Sequence, residues 1–148
     1  MRIRNLVRCI QRDKSGAAAL EFALVGPALI AMLLGALQIG IGMQNYNALR
    51  DVSAQVARYA MVQYTTGNTL TNDQLDAYAY NVAQSAPYLL KSERLVSTVS
   101  DAATQRVTGA TEKTLVMQYR IPSMFEAMGL RGPQITYTRP LFLTTPGS

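Results

Sequence analysis

From Phe22 to Leu49 the chain carries no charged side chain, and Ala17 to Met43 is almost wholly Ala, Leu, Ile, Val, Gly, Met and Phe. About 20 apolar residues rising 1.5 Å each cross the roughly 30 Å of a bilayer's hydrocarbon, and this run is longer than that. A buried core helix seldom stays uncharged over such a length. A secretory signal has an apolar region of about 7–15 residues before a small-residue cleavage site, again too short to match. The spacing therefore predicts a helix that remains in the membrane over residues 17–43.

The flanks orient it. Arg2, Arg4, Arg8, Arg12 and Lys14 precede the span against Asp13 alone, whereas neutral Gln44, Asn45 and Asn47 follow it. Basic flanks stay on the cytoplasmic side, so the N-terminus is expected there and the rest across the membrane. The formal charge of +5 falls to +1 once residues 1–16 are set aside, and the remaining arginines are scattered. No stripe of cations is left to follow a phosphate backbone, which argues against a nucleic-acid partner. The chain has no histidine, and its one cysteine, Cys9, lies in the basic segment. Ser-His-Asp and Cys-His catalysis, His-containing zinc sites and an internal disulfide are thereby excluded. No catalytic residue, metal or cofactor is expected, and Asp73, Asp76, Glu93, Asp101 and Glu112 read as solvated surface carboxylates rather than an acid-base pair.

Beyond the span, Tyr46, Leu49, Val52, Val56 and Tyr59 recur at helical spacing, with Asn47, Arg50, Gln55 and Arg58 largely on other faces. An amphipathic extension over residues 44–66 should stop near Gly67. Thr71 with Gln74 reads as a capping box opening a second helix, about residues 72–85. Its face carries Leu75, Tyr78, Ala79 and Val82, and Pro87 forbids its continuation. The period then changes to two. Strands are predicted over Leu95–Ser100, Thr114–Ile121 and Gln134–Leu143, with Leu115, Met117, Tyr119 and Ile121 on one side and Pro140 suggesting an edge. The apolar link holding Met124, Phe125, Met128 and Leu130 is expected to cover the core. The fold class is thus α+β: a long N-terminal membrane helix running into a small head, residues 67–148, with a second helix and an antiparallel sheet of about three strands.

One residue stands against its surroundings. Glu21 is an ionisable group in an apolar helix, and a carboxylate in lipid costs several kcal/mol unless paired. It could reach the interface and pair with Lys14. The string Arg12-Asp13-Lys14-Ser15-Gly16-Ala17-Ala18-Ala19-Leu20-Glu21-Phe22 resembles a type IV prepilin processing site, in which a membrane peptidase cuts on the cytoplasmic side after the glycine. On that resemblance Gly16, Ala17, Glu21 and Phe22 are the processing residues and residues 1–16 a cytoplasmic leader. Ala17 and Glu21 would pair between subunits during assembly.

The resemblance narrows with Gly16 to Pro27, then Asn45-Tyr46-Asn47-Ala48-Leu49 and Ala57-Arg58-Tyr59-Ala60. It is similar to the TadE-like family, minor pseudopilins of the tight adherence (Flp) pilus. Val56 stands where the family usually has a glycine before the Ala-Arg pair. Chain length fits a TadE-like or TadF-like minor subunit. The resemblance implies a prepilin peptidase, other minor pseudopilins, the assembly platform in the inner membrane and the lipid bilayer as partners, with the major pilin a further candidate. Pro27 is expected to kink the helix, and Gly35, Gly40 and Gly42 to permit close packing. The competing reading is an uncleaved signal-anchored periplasmic protein whose head binds an envelope partner.

Overall fold

The computed structural model describes residues 14–126 and 129–144. Residues 1–13, with Cys9, and Met128 of the link lie outside the described residues, as do the side chains of Lys14 and Ser15. The elements are helix α1 (Lys14–Thr65), helix α2 (Asn72–Gln84), a 3-10 turn η1 (Ser92–Arg94) and strands β1 (Leu95–Asp101), β2 (Thr111–Arg120) and β3 (Gln134–Leu143). The chain divides into two units, one ending at Ile39 and one beginning at Gly40.

The described part of the first unit, from Lys14 to Ile39, is helix, and its large apolar side chains are exposed: Leu20, Phe22, Leu24, Leu29, Met32 and Leu33 are all well over half accessible. Such a surface is foreign to water and suits hydrocarbon.

The second unit is a head of two layers. The C-terminal part of α1 and α2 cover one face of an antiparallel sheet in the order β1-β2-β3. Leu49, Val52, Val56, Ala60 and Tyr64 of α1 and Leu75, Ala79 and Ala83 of α2 are buried. They meet Leu95 and Val99 of β1, Leu115, Met117 and Tyr119 of β2, and Leu141 and Leu143 of β3. The register sets Leu95 opposite Tyr119 and Val99 opposite Leu115, so alternate residues of neighbouring strands fall on the same face.

Helix α1 ends as its sequence requires. Gly67, at φ 82, lets its own N–H reach the Tyr64 carbonyl and the Asn68 N–H reach that of Gln63, the paired bonds of a Schellman motif. Helix α2 begins with the expected capping box: Thr71 Oγ1 accepts from the Gln74 N–H, and Gln74 Oε1 accepts from the Thr71 N–H. Ser85 closes the helix and the Ala86–Pro87 peptide is cis. After β2 the chain must turn tightly. The Ile121 N–H donates to the Pro133 carbonyl, and a Cβ on Gly132 would stand 1.9 Å from the Ile121 carbonyl oxygen, so no larger residue fits there without displacing backbone.

Several expectations need correction. Strand β2 starts at Thr111, three residues before the alternation suggested, and ends at Arg120 rather than Ile121; β1 extends one residue further, to Asp101. The extra rungs are polar and hold through side chains. Lys113 Nζ, almost buried, donates to Asp101 Oδ1 at 2.7 Å and to Asn72 Oδ1 at 2.6 Å. Glu112 is not a solvated carboxylate but 2% exposed, covered by the β1–β2 connection. Met124 and Leu130 do not cover the core, for both are exposed. Val56, by contrast, lies in the head's core, as its place on the apolar stripe of α1 implies. Of the helical glycines, Gly42 packs against Ile121, while nothing approaches Gly35 or Gly40.

Candidate processing and assembly segment

Gly16, Ala17, Glu21, Phe22 and Pro27 all lie on α1, in the first unit. One continuous helix therefore positions every residue that the sequence singles out. Gly16 is in the first turn, where N–H groups have no partner one turn back and unwinding costs least; glycine is also among the weakest helix formers. A peptidase that needs an extended segment would find it most easily there. Ala17 and Glu21 stand four residues apart on one stripe, and Glu21 is exposed. Phe22, 76% exposed, leans on the turn that follows: its ring would lie 3.7 Å from a Cβ on Gly26. Phe22 thus presents an aromatic face beside the carboxylate rather than packing into a core. Pro27 lies within the helix, which continues unbroken past it; proline has no N–H to give the Ala23 carbonyl one turn back.

The head offers grooves rather than a catalytic constellation. No group of three or more His, Cys, Asp or Glu among the described residues could hold a metal ion. A groove of about 510 Å³ lies between α1, α2 and the segment after α2, lined by Asp51, Gln55, Arg58, Tyr59, Tyr78 and Tyr88 among others. Tyr59 and Tyr78 stack with ring centroids 3.9 Å apart, and Gln55 Nε2 donates to Tyr88 Oη at 2.8 Å. A second groove, about 460 Å³, runs between Ala57 and Met61 of α1 and residues 137–143 of β3.

The two sheet edges are treated differently. Tyr80 of α2 donates its hydroxyl to the Leu95 carbonyl at 3.3 Å and accepts from the Ser97 N–H at 3.2 Å, which satisfies the outer edge of β1. The outer edge of β3 contains Pro140, which cannot donate to a further strand. Sequence reasoning missed Tyr80, since a tyrosine on a helix says nothing about the strand it will reach. It also missed the Arg106–Glu112 pair, whose only sign was an isolated acid-base doublet, Glu112-Lys113, at the start of an alternating run.

Electrostatics in the head follow from these contacts. The Arg106 guanidinium beside Glu112 holds its carboxyl below the usual range, Lys113 does the same for Asp101, and Arg94, at 2.7 Å, for Glu126. Burial pushes the Asp76 carboxyl up.

Comparison with protein families returns one match on the helix just described. Residues 16–58 match the model of the TadE-like protein family. This N-terminal segment is similar to that family. The match begins at Gly16, includes Glu21 and Phe22, and ends at Arg58 within the head's part of α1. No curated protein and no solved structure matches the chain. The matched segment lies within α1, the one helix among the described residues that is long and apolar enough to cross a membrane.

Proposed function

We propose that the protein is a membrane-anchored minor pseudopilin that serves assembly of a tight adherence pilus and is matured by a prepilin peptidase cutting after Gly16. The observation that carries this reading is the start of the TadE-like match at Gly16, with Glu21 five residues beyond the scissile bond. Residues 1–16 act as the cytoplasmic leader, 17–43 as the membrane and assembly helix, 44–66 as its periplasmic extension and 67–148 as the head.

Hydrolysis of the Gly16–Ala17 bond leaves a carboxylate on Gly16 and a free amine on Ala17. Protonated, that amine sits at the positive end of the helix dipole, where a carboxylate is favourable. Glu21 of a neighbouring subunit supplies one. In lipid the pair is held together because separation leaves both charges poorly solvated, so the contact sets the register between adjacent helices. Phe22 beside Glu21 keeps an apolar ring against hydrocarbon, and Pro27 bends the helix where its backbone bond is missing. The partners are then the peptidase, the other minor pseudopilins, the inner-membrane assembly platform and the bilayer.

The test is co-expression with a prepilin peptidase followed by intact-mass measurement. Loss of residues 1–16, blocked by Gly16→Ala, supports the reading. Retention of the leader in the presence of active peptidase points instead to an uncleaved anchor.

A further inference from the structure

One end of the head carries a surface that its own core does not use. Ile121, the first residue after β2, lies against Gly42, whose added Cβ would stand 3.2 Å from the Ile121 side chain. Gly42 and Met43 end the apolar run, and Gln44, Asn45 and Asn47 follow. A second segment reaches the same level: Pro87 and Tyr88 share a cleft with Gln44, Asn45, Asn47 and Asp51. The loops 86–94 and 121–133 therefore flank α1 where its side chains change from apolar to polar. The register agrees, since Leu95 pairs with Tyr119 and Arg120 with Gln134, which brings the start of β1, the end of β2 and the start of β3 to this end of the sheet.

Both loops turn apolar side chains outward. Leu89 is 68% exposed and Leu130 60%, with Met124 exposed as well. Leu89 stands at φ 50 in the turn after α2, where its N–H donates to the Ser85 carbonyl at 3.1 Å. Among these tips stand Lys91, Arg120 and Arg131 beside the carboxylates Glu93 and Glu126; Glu126 pairs with Arg94 and lies within the field of Lys91 and Arg120, which leaves the cations in excess. Tyr46 and Tyr137 meet edge to face at 5.7 Å on the same part of α1. Apolar tips, cations and tyrosines at one level are the composition of a membrane interface.

We infer that this end of the head rests on the bilayer surface, with Leu89, Met124 and Leu130 entering the headgroup region and Lys91, Arg120 and Arg131 meeting the phosphates of anionic lipids. The inference rests on the proposed span over residues 17–43, because that span fixes where the surface lies.

The full chain, carrying Cys9→Ser and one introduced cysteine bearing a fluorophore, is reconstituted in phosphatidylcholine vesicles containing phosphatidylglycerol and spin-labelled lipid. Four positions are compared: Leu33→Cys in the span, Leu89→Cys and Leu130→Cys at the proposed contact, and Thr108→Cys at the far end of β2, roughly 30 Å away at about 3.3 Å per residue. Labels at 33, 89 and 130 should lose emission to the lipid quencher and the label at 108 should not. Lys91→Glu with Arg131→Glu should reduce the loss at 130. The inference is overturned if 33 is quenched while 89 and 130 remain as accessible to aqueous iodide as 108. It is also overturned if they are shielded from iodide without being quenched by lipid, which would mean that protein covers this surface. An unquenched label at 33 would remove the span, and this inference with it.

Discussion

The buried carboxylate of Glu112 is held by Arg106, which donates to it from its guanidinium and, at 3.1 Å, from its backbone N–H. Gln105 completes the clasp by accepting from the Glu112 N–H at 2.6 Å and donating to its carbonyl at 3.2 Å. One side chain thus fastens the β1–β2 connection onto the outer face of β2. Arg106→Ala leaves that carboxylate buried and unpaired, so it should lower Tm more than Glu112→Gln does. The pH dependence has a definite sign. A carboxyl whose folded value lies below its ordinary 4.5 contributes stability above that value and loses it as pH falls through the folded one. Thermal melts of Glu112→Gln should therefore change less steeply with acidification than those of the native chain.

Asp76 has the opposite sign. Burial raises its carboxyl above 3.8, so the fold favours the protonated form, and stability declines as pH rises from the ordinary value through the folded one. Asp76→Asn should raise Tm near neutral pH and leave it almost unchanged in acid. Equal effects at both would contradict this account of Asp76.

Tyr80 closes the outer edge of β1 through one hydroxyl. Tyr80→Phe keeps the ring and removes both bonds, at a cost of about 1 kcal/mol for each net hydrogen bond lost. Hydrogen exchange should accelerate at the Ser97 amide, while amides of β2, paired on both sides, keep their protection.

Much of this fold was legible because local chemistry and tertiary structure agree. The Gly67 stop and the Thr71–Gln74 box are satisfied by neighbours within a few residues, so the short range decides them. Gln134–Leu143 alternates along its length and Pro140 marks its edge, and the strand occurs with those bounds. Legibility failed where a partner is remote. Thr111–Lys113 joins β2 only because Arg106, Asp101 and Asn72 receive its two charged side chains, and no periodicity announces that. The apolar link around Met124 and Leu130 was read as core cover from hydrophobicity alone, which cannot separate a core from an outward surface. Gly16, Ala17, Glu21 and Phe22 stand out in the sequence by type and spacing, and the structure adds that they share one helix whose first turn contains Gly16.

On the proposed function, Glu21 separates maturation from assembly. It lies five residues beyond the proposed cleavage point and is exposed, so Glu21→Ala should leave cleavage after Gly16 intact while reducing recovery of the proposed partner subunits with this protein in membrane extracts. Glu21→Asp, which keeps the charge on a shorter stem, should restore part of the association. Undiminished association in Glu21→Ala would remove the pairing with the Ala17 amine.

The central claim concerns the bond between Gly16 and Ala17, and the mass of the mature N-terminus tests it most directly. In cells with an active prepilin peptidase, the N-terminal peptide should begin at Ala17, with residues 1–16 and Cys9 gone from the membrane-bound protein. A protein that keeps residues 1–16 under those conditions, and behaves identically when Gly16 is replaced by alanine, would contradict it.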